Sequence, residues 1–553
     1  MKKGLFTMEP FHFKTRYCSS LVKIMQKPEM TAAEPFNGFS ALRGEVFSFQ
    51  VAYFTERRVE ELKVKVVSKL KNIRIRSVES VPVRYLATNL DDDVVTKEPG
   101  LIPDILAELP ERFFTVPPKL WRALWITVKI PRNCKAGTYD IAFEFDLDQQ
   151  ETVKTKPFQL EVLNATLPEQ KLIRTEWFHT DSLATYYNVP VFSEEFWYLV
   201  ETFMKNAADH GINMILTPVF TPPLDTEIGQ ERPTVQLVGV KKTKDGYEFD
   251  FDKLARWIAL AESVGIRYFE ISHLFTQWGA GFTPKIMADV NGTEKRIFGW
   301  DVKSDSAKYK TFLKAFLPEL TVFLKEAGIA DRVYFHTSDE PSQTGLATYS
   351  AAAKLLRSCT EEFKHIDALS EFEFYEQGLV DIPVPVISKV EEFIQKGLKH
   401  PWTYYCCCPE TETSNRFLYS TSTRTRILGA LFHRFGIEGF LHWGFNFYFS
   451  RLSRYPIDPY QTTDAGYAFP AGDPFLVYPG DECEPVDSIR NELLFEGLQD
   501  QRALKLLQEK IGEKAVRTML DKASGGSMTM KNYPRGEKAM LKLRKEINQK
   551  LKQ

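Results

Sequence analysis

The chain has 553 residues, 43% of them hydrophobic and 26% charged, a composition typical of globular proteins and a length beyond one hydrophobic core. Its 71 basic and 73 acidic residues leave a formal charge of −2, which offers no basic field for nucleic acid or an acidic membrane. No run of about 18 apolar residues suggests a membrane span, and Met1 to Pro10 carries two lysines without an apolar stretch behind them, so a cytoplasmic location is expected.

Residues 1–165 read as all-β. Glu61 to Val67, Ile73 to Arg76, Ala123 to Ile130 and Tyr139 to Phe145 alternate apolar with polar residues, the period of half-buried strands, and breakers such as Pro131 and Gly137 separate them. A β-sandwich fits. From residue 166 the rhythm changes to helices followed by strands. Three helical stretches, ending near Asp209, Val264 and Ala327, each run into Gly-Ile at 211, 265 and 328, where glycine supplies a left-handed helix end before a strand. Strands are expected at Leu172–His179, Asn213–Thr217, Arg267–Ser272, Arg332–His336, His365–Leu369, Val384–Ser388, Thr403–Cys406 and Gly439–Trp443. Helices are expected at Ser342–Ser358, Val390–Leu398, Thr421–Phe435 and Asp487–Lys510, with none clear between the fifth and sixth strands. Eight alternating strands predict a (β/α)8 barrel over 166–511. No strand leads into Gly-x-Gly-x-x-Gly, so dinucleotide binding has no support. Residues 512–553, charged and broken by Ser524-Gly-Gly-Ser, read as helices packed outside the barrel.

Seven cysteines include the run Cys406-Cys407-Cys408. Contiguous cysteines lack the two-residue gaps of zinc sites and no paired histidines flank them, so they read as reduced structural thiols; neither metal nor cofactor is expected.

The stretch richest in chemistry is Arg332-Val-Tyr-Phe-His-Thr-Ser-Asp-Glu-Pro341, a short apolar strand running into adjacent carboxylates at the C-terminal rim, where barrel enzymes place catalytic groups. Two readings stand. Ser338 or Asp339 caps a following helix with Pro341 near its first turn; or Asp339 and Glu340 act on a ligand. Ordinary glycosidases take their two carboxyls from different strands, about 5 Å or more apart. Neighbours on one strand tip suit hydrolysis in which a sugar's own 2-acetamido oxygen attacks the anomeric carbon. Glu340 would then protonate the leaving oxygen, and Asp339 would hold the acetamide N–H.

Thr337-Ser-Asp-Glu-Pro341 resembles the Asp-Glu motif of glycoside hydrolase family 123, the β-N-acetylgalactosaminidases. Residues 402–500 also resemble the region known as domain of unknown function 4091, through Trp402-Thr-Tyr-Tyr-Cys, Arg424, Arg426, Gly439-Phe-Leu-His-Trp-Gly-Phe-Asn446, Tyr478-Pro-Gly-Asp481 and Glu496-Gly-Leu-Gln-Asp500. The family resemblance implies an N-terminal β-sandwich, a catalytic barrel, a glycan substrate and substrate assistance, with Asp339 orienting the acetamide and Glu340 as acid/base. Rim position adds Trp177, His273, Trp278, Tyr375, Tyr404, Trp443 and Asn446 as candidate substrate contacts. For Trp443 the alternative is a core tryptophan, for Tyr404 the neighbouring Tyr405, for Tyr375 a surface loop, for His273 a structural histidine. Arg424 and Arg426 read as a solvated helix face, with neutralisation of rim carboxylates as the alternative. A different glycosidase, drawing a second carboxylate from Glu270, Glu371 or Glu373, and a non-catalytic sugar-binding protein remain open. Sugar configuration, aglycone and oligomeric state are not legible.

Overall fold

The computed structural model describes residues 12–553; the Met1 to Pro10 segment, on which the expectation of no secretion signal rests, lies outside them. The N-terminal region is a β-sandwich. One sheet runs Phe13–Ser19, Val46–Thr55, Arg122–Lys129, Ile73–Val83, Gly100–Glu108; the other runs Gly38–Arg43, Phe158–Thr166, Gly137–Leu147, Val59–Ser68, Phe114–Val116. Alternation in Gly137–Leu147 buries Ile141, Phe143, Phe145 and Leu147. The rings of Phe143 and Phe145 meet Phe49 and Phe13 of the facing sheet, and Phe49 stacks on Phe158 at 4.3 Å across the sandwich.

The barrel follows, with eight strands as expected, the sixth shifted ahead of the expected Val384–Ser388: β1 Ile173–Glu176, β2 Met214–Thr217, β3 Tyr268–Ile271, β4 Val333–Phe335, β5 Lys364–Ala368, β6 Ile382–Val384, β7 Trp402–Tyr404 and β8 Gly439–His442. They pair in parallel in the order β6, β5, β4, β3, β2, β1, β8, β7. Just past β6 the ring closes through a parallel bridge between Val386 and Tyr404, with Tyr404 N–H on Pro385 O at 3.1 Å and Ile387 N–H on Tyr404 O at 2.7 Å. The three Gly-Ile junctions hold: Gly211, Gly265 and Gly328 have φ of 83°, 103° and 71°.

Three differences from expectation have plain causes. The helix after β4 starts at Leu346, not Ser342, behind a 3₁₀ turn at Gln343–Gly345. Between β5 and β6 there is one helical turn, Glu373–Glu376. The loops after β2 and β3 each form a hairpin, and the two hairpins join as a four-stranded sheet of Tyr247–Asp250, Gly239–Lys242, Ile286–Val290 and Thr293–Phe298. Strands this short and charged carry no readable period. Beyond the barrel, the final helix Glu537–Lys552 packs on sandwich strands Gly38–Arg43 and Phe158–Thr166, where Arg544 bonds Glu45 at 2.7 Å and Asn548 bonds Ser40 O at 2.7 Å. No helix among the described residues is long and apolar enough to cross a membrane.

Candidate active site

Every residue of β4 is buried, and the chain leaves it at the C-terminal mouth of the barrel. Ser338 does not cap a helix: its hydroxyl donates to Thr276 O at 2.8 Å. The pair is pinned to neighbouring strands instead. Glu340 N–H donates to Ala368 O at the end of β5 at 3.0 Å, and Asp339 O accepts from Trp278 N–H at 2.8 Å. Glu340 takes φ +41°, an uncommon value for a residue with a Cβ, and its carboxyl reaches the Tyr404 hydroxyl.

Asp339 and Glu340 line a cavity of about 120 Å³ with Trp177, Trp278, Tyr404, Trp443, Asp225, Gln277, Cys406, Cys407 and Phe469 among its walls. Parity on β7 is settled by the barrel closure: Tyr404 faces the cavity and its hydroxyl donates to Glu340 Oε1 at 2.6 Å, whereas Tyr405 is fully buried against Phe440 and His442. Trp443 is half-buried, its indole N–H held by Asp473 Oδ2 at 3.0 Å. Trp177 donates to Glu270 Oε1 at 2.8 Å, and Trp278 is 53% exposed at the mouth.

Three expected contacts lie elsewhere. The short turn after β5 carries Tyr375 back to the opposite mouth, where it lines a larger cavity of about 940 Å³ with the N-terminal ends of the strands. Asn446 is buried and its amide holds the His179 backbone, with bonds of 2.8 and 3.2 Å. His273 is buried too, stacked on His336 at 4.3 Å. Of the alternative acids, Glu371 and Glu373 are exposed outside the cavity, and Glu270 is buried in hydrogen bonds to Thr175, Trp177 and His336.

Beneath the pair lies a buried polar network that includes Glu270, one of the alternative acids. His336 bridges Glu270 and Asp367, the latter at 2.9 Å, and Tyr349 donates its hydroxyl to Asp367. Burial pulls the His336 imidazole down, but Glu270 and Asp367 together carry it up to about 10, so it is a histidinium at neutral pH. Burial and then the charge of Glu340 push the Asp339 carboxyl well above the usual carboxylate range, with His336 pulling it back. Glu340 keeps an open path to solvent, yet protein surrounds its carboxyl, and the lost water raises it too; the Tyr404 hydrogen bond opposes this. Asp225, missed by sequence reasoning because it is an isolated acid in the loop after β2, is raised to about 6 by burial against its hydrogen bond from Leu452 N–H. Adjacent acids that both resist ionisation hold a proton to higher pH than free carboxyls do, the direction a general acid needs.

The N-terminal region matches the family model described as the glycoside hydrolase 123 N-terminal domain over residues 22–146, and the barrel matches that of the glycoside hydrolase 123 catalytic domain over 177–507. Among solved structures, a family 123 glycoside hydrolase from Clostridium perfringens, described for glycolipid glycan hydrolysis, aligns with a TM-score of 0.71 at 17% identity, covering 98% of this chain and 97% of that one. A family 5 mannosidase from Rhizomucor miehei aligns with a TM-score of only 0.31 at 13% identity, over 63% of this chain and 96% of its own. Among curated proteins, no sequence matches the chain.

Proposed function

The chain belongs to glycoside hydrolase family 123, and from that premise we propose that it releases a terminal β-linked N-acetylhexosamine, N-acetylgalactosamine by preference, with retained anomeric configuration. Glu340 gives its proton to the glycosidic oxygen as the acetamide oxygen attacks the anomeric carbon and the glycosidic bond breaks. Asp339 accepts the acetamide N–H and faces the cationic oxazolinium so formed. Water then attacks the anomeric carbon, passing its proton back to Glu340 and reopening the ring.

The observation that carries this reading is the adjacent pair at the tip of β4, both carboxyls raised, in a cavity walled by tryptophans. Without sugar, the deeper Asp339 is the natural holder of the shared proton, because Tyr404 already favours ionised Glu340. An acetamide N–H reaching Asp339 favours its ionised form and moves the proton onto Glu340. Substrate thus arms its own acid. The galacto preference follows the family resemblance, and the Clostridium relative makes a glycolipid headgroup a reasonable aglycone.

A panel of 4-nitrophenyl β-glycosides with and without the 2-acetamido group tests this. Turnover should be confined to acetamido sugars and blocked by a thiazoline mimic. Glu340→Gln should lower kcat by about 10²–10⁴-fold, and Asp339→Asn should lose the acetamide preference. Equal turnover of sugars lacking the acetamide would reject the mechanism. Asp225, which lines the same cavity as Glu340, supports a second reading, in which it serves as nucleophile. A covalent glycosyl-enzyme trapped on Asp225 would establish that alternative.

A further inference from the structure

Cys406, Cys407 and Cys408 are free thiols that the fold gathers beside the cavity, with the first two on its wall. In an extended run, successive side chains point to opposite faces. Here the chain bends after β7, and Cys406 N–H donates to Cys408 O at 3.1 Å. The buried Asn415 clamps the bend by donating to Cys406 O at 3.1 Å and Pro409 O at 3.2 Å. The three sulfurs consequently lie within 4.8 Å of one another, with Cys406 Sγ 3.8 Å from Cys407 Sγ and 3.9 Å from Cys408 Sγ. Zinc–sulfur bonds of about 2.3 Å at the tetrahedral angle set sulfurs about 3.8 Å apart. A disulfide needs about 2.05 Å. The separations are those of a metal-thiolate edge, which contiguous numbering conceals.

We propose that Cys406, Cys407 and Cys408 form a three-thiolate site for a thiophilic divalent cation, zinc foremost, and that its occupation inhibits the enzyme. Each thiol binds as thiolate and releases its proton to solvent, with no change of oxidation state. The fourth coordination position is open to water. Cys406 and Cys407 share the cavity wall with Glu340 and Tyr404, so a cation held there occupies the space beside the acid. Metal binding itself does not depend on the proposed substrate; only the inhibition does.

Reduced protein titrated with Cd²⁺ should develop thiolate-to-metal charge-transfer absorption that saturates at one Cd²⁺ per chain and falls when Zn²⁺ competes in large excess. Cys408 is exposed and does not line the cavity, so Cys408→Ser should keep its melting temperature while losing about tenfold or more in Cd²⁺ affinity. A Cys134→Ser/Cys359→Ser/Cys483→Ser variant should bind as the unmodified chain does. Zn²⁺ should protect three cysteines from alkylation, located by peptide mass mapping to 406–408. Absence of the absorption band, protection elsewhere, or unchanged binding in Cys408→Ser would overturn the site. Zn²⁺ should inhibit glycoside turnover at the concentration that fills the site and about tenfold less effectively in Cys408→Ser; equal inhibition of both would overturn the inhibitory role.

Discussion

At Glu340 three influences meet: lost water raises the carboxyl, the Tyr404 hydroxyl lowers it, and the nearby Cys408 raises it again. If Glu340 is the acid, turnover is lost as pH rises through its ionisation. Tyr404 stabilises the charged form through a 2.6 Å bond, so Tyr404→Phe should raise the Glu340 pKa and carry the alkaline limb of the kcat profile to higher pH. A hydrogen bond to a charged group contributes about 1.5–3 kcal/mol, which sets a shift of about one pH unit or more. A pH–rate series on an acetamido aryl glycoside measures this, and an unmoved or lowered limb would contradict the assignment. His336 supplies the counterweight. As a buried histidinium between Glu270 and Asp367, it lowers the Asp339 carboxyl against the opposite push of those two acids.

The helices show where close approach leaves no latitude. Leu428–Phe435 crosses Ile489–Ile511 at Gly429 and Gly497, and a Cβ on Gly429 would stand 1.7 Å from Gly497 O. That neighbour is backbone and cannot swing aside. Gly429→Ala should therefore cost at least about 1–3 kcal/mol by overpacking and lower Tm by several degrees. Gly100→Ala, where nothing lies within 4 Å, should move Tm little. Thermal melts of both variants decide the point. The same elements explain what could be read in advance. Barrel strands announce themselves through short apolar runs after Gly-Ile junctions, because burial on both faces demands them. Asp339 and Glu340 were visible because two acids followed such a run. Asp225, Asp367 and Asp473 were not, since single acids scattered over 248 positions of chain become neighbours of one cavity only after the ring closes. Tyr404 and Tyr405 were indistinguishable until the Val386 bridge fixed the strand's rotation. The helix expected from Ser342 slipped to Leu346 because the strand tip binds Ala368 and Trp278 rather than capping a helix.

Across the whole molecule, sandwich and barrel share structure that propensity alone cannot announce. A hairpin from the barrel region, Tyr478–Pro479 with Pro485–Ser488, adds two strands to the sandwich sheet beside Gly100–Glu108. Fully buried Arg490 bonds Asp104 of that sandwich strand at 3.0–3.1 Å, and Tyr478 donates to the same carboxylate at 2.7 Å. Arg76 reaches Asp487 and Glu492 across the same seam. Arg424 and Arg426, expected on a solvated face, are buried instead: Arg424 pairs with Asp91, and Arg426 with Glu496 and Asp500. Charges buried in both regions bind the two into one cooperative unit, because separating them strands each ion without water or partner. Arg490→Met leaves Asp104 without its cation and should cost about 3–5 kcal/mol. Adding Asp104→Asn removes the stranded charge and should restore part of that loss, the signature of direct coupling. Throughout, near-ultraviolet dichroism and glycoside turnover should be lost in one shared transition. Two separated transitions, with turnover surviving the first, would mean instead that the barrel stands without its sandwich.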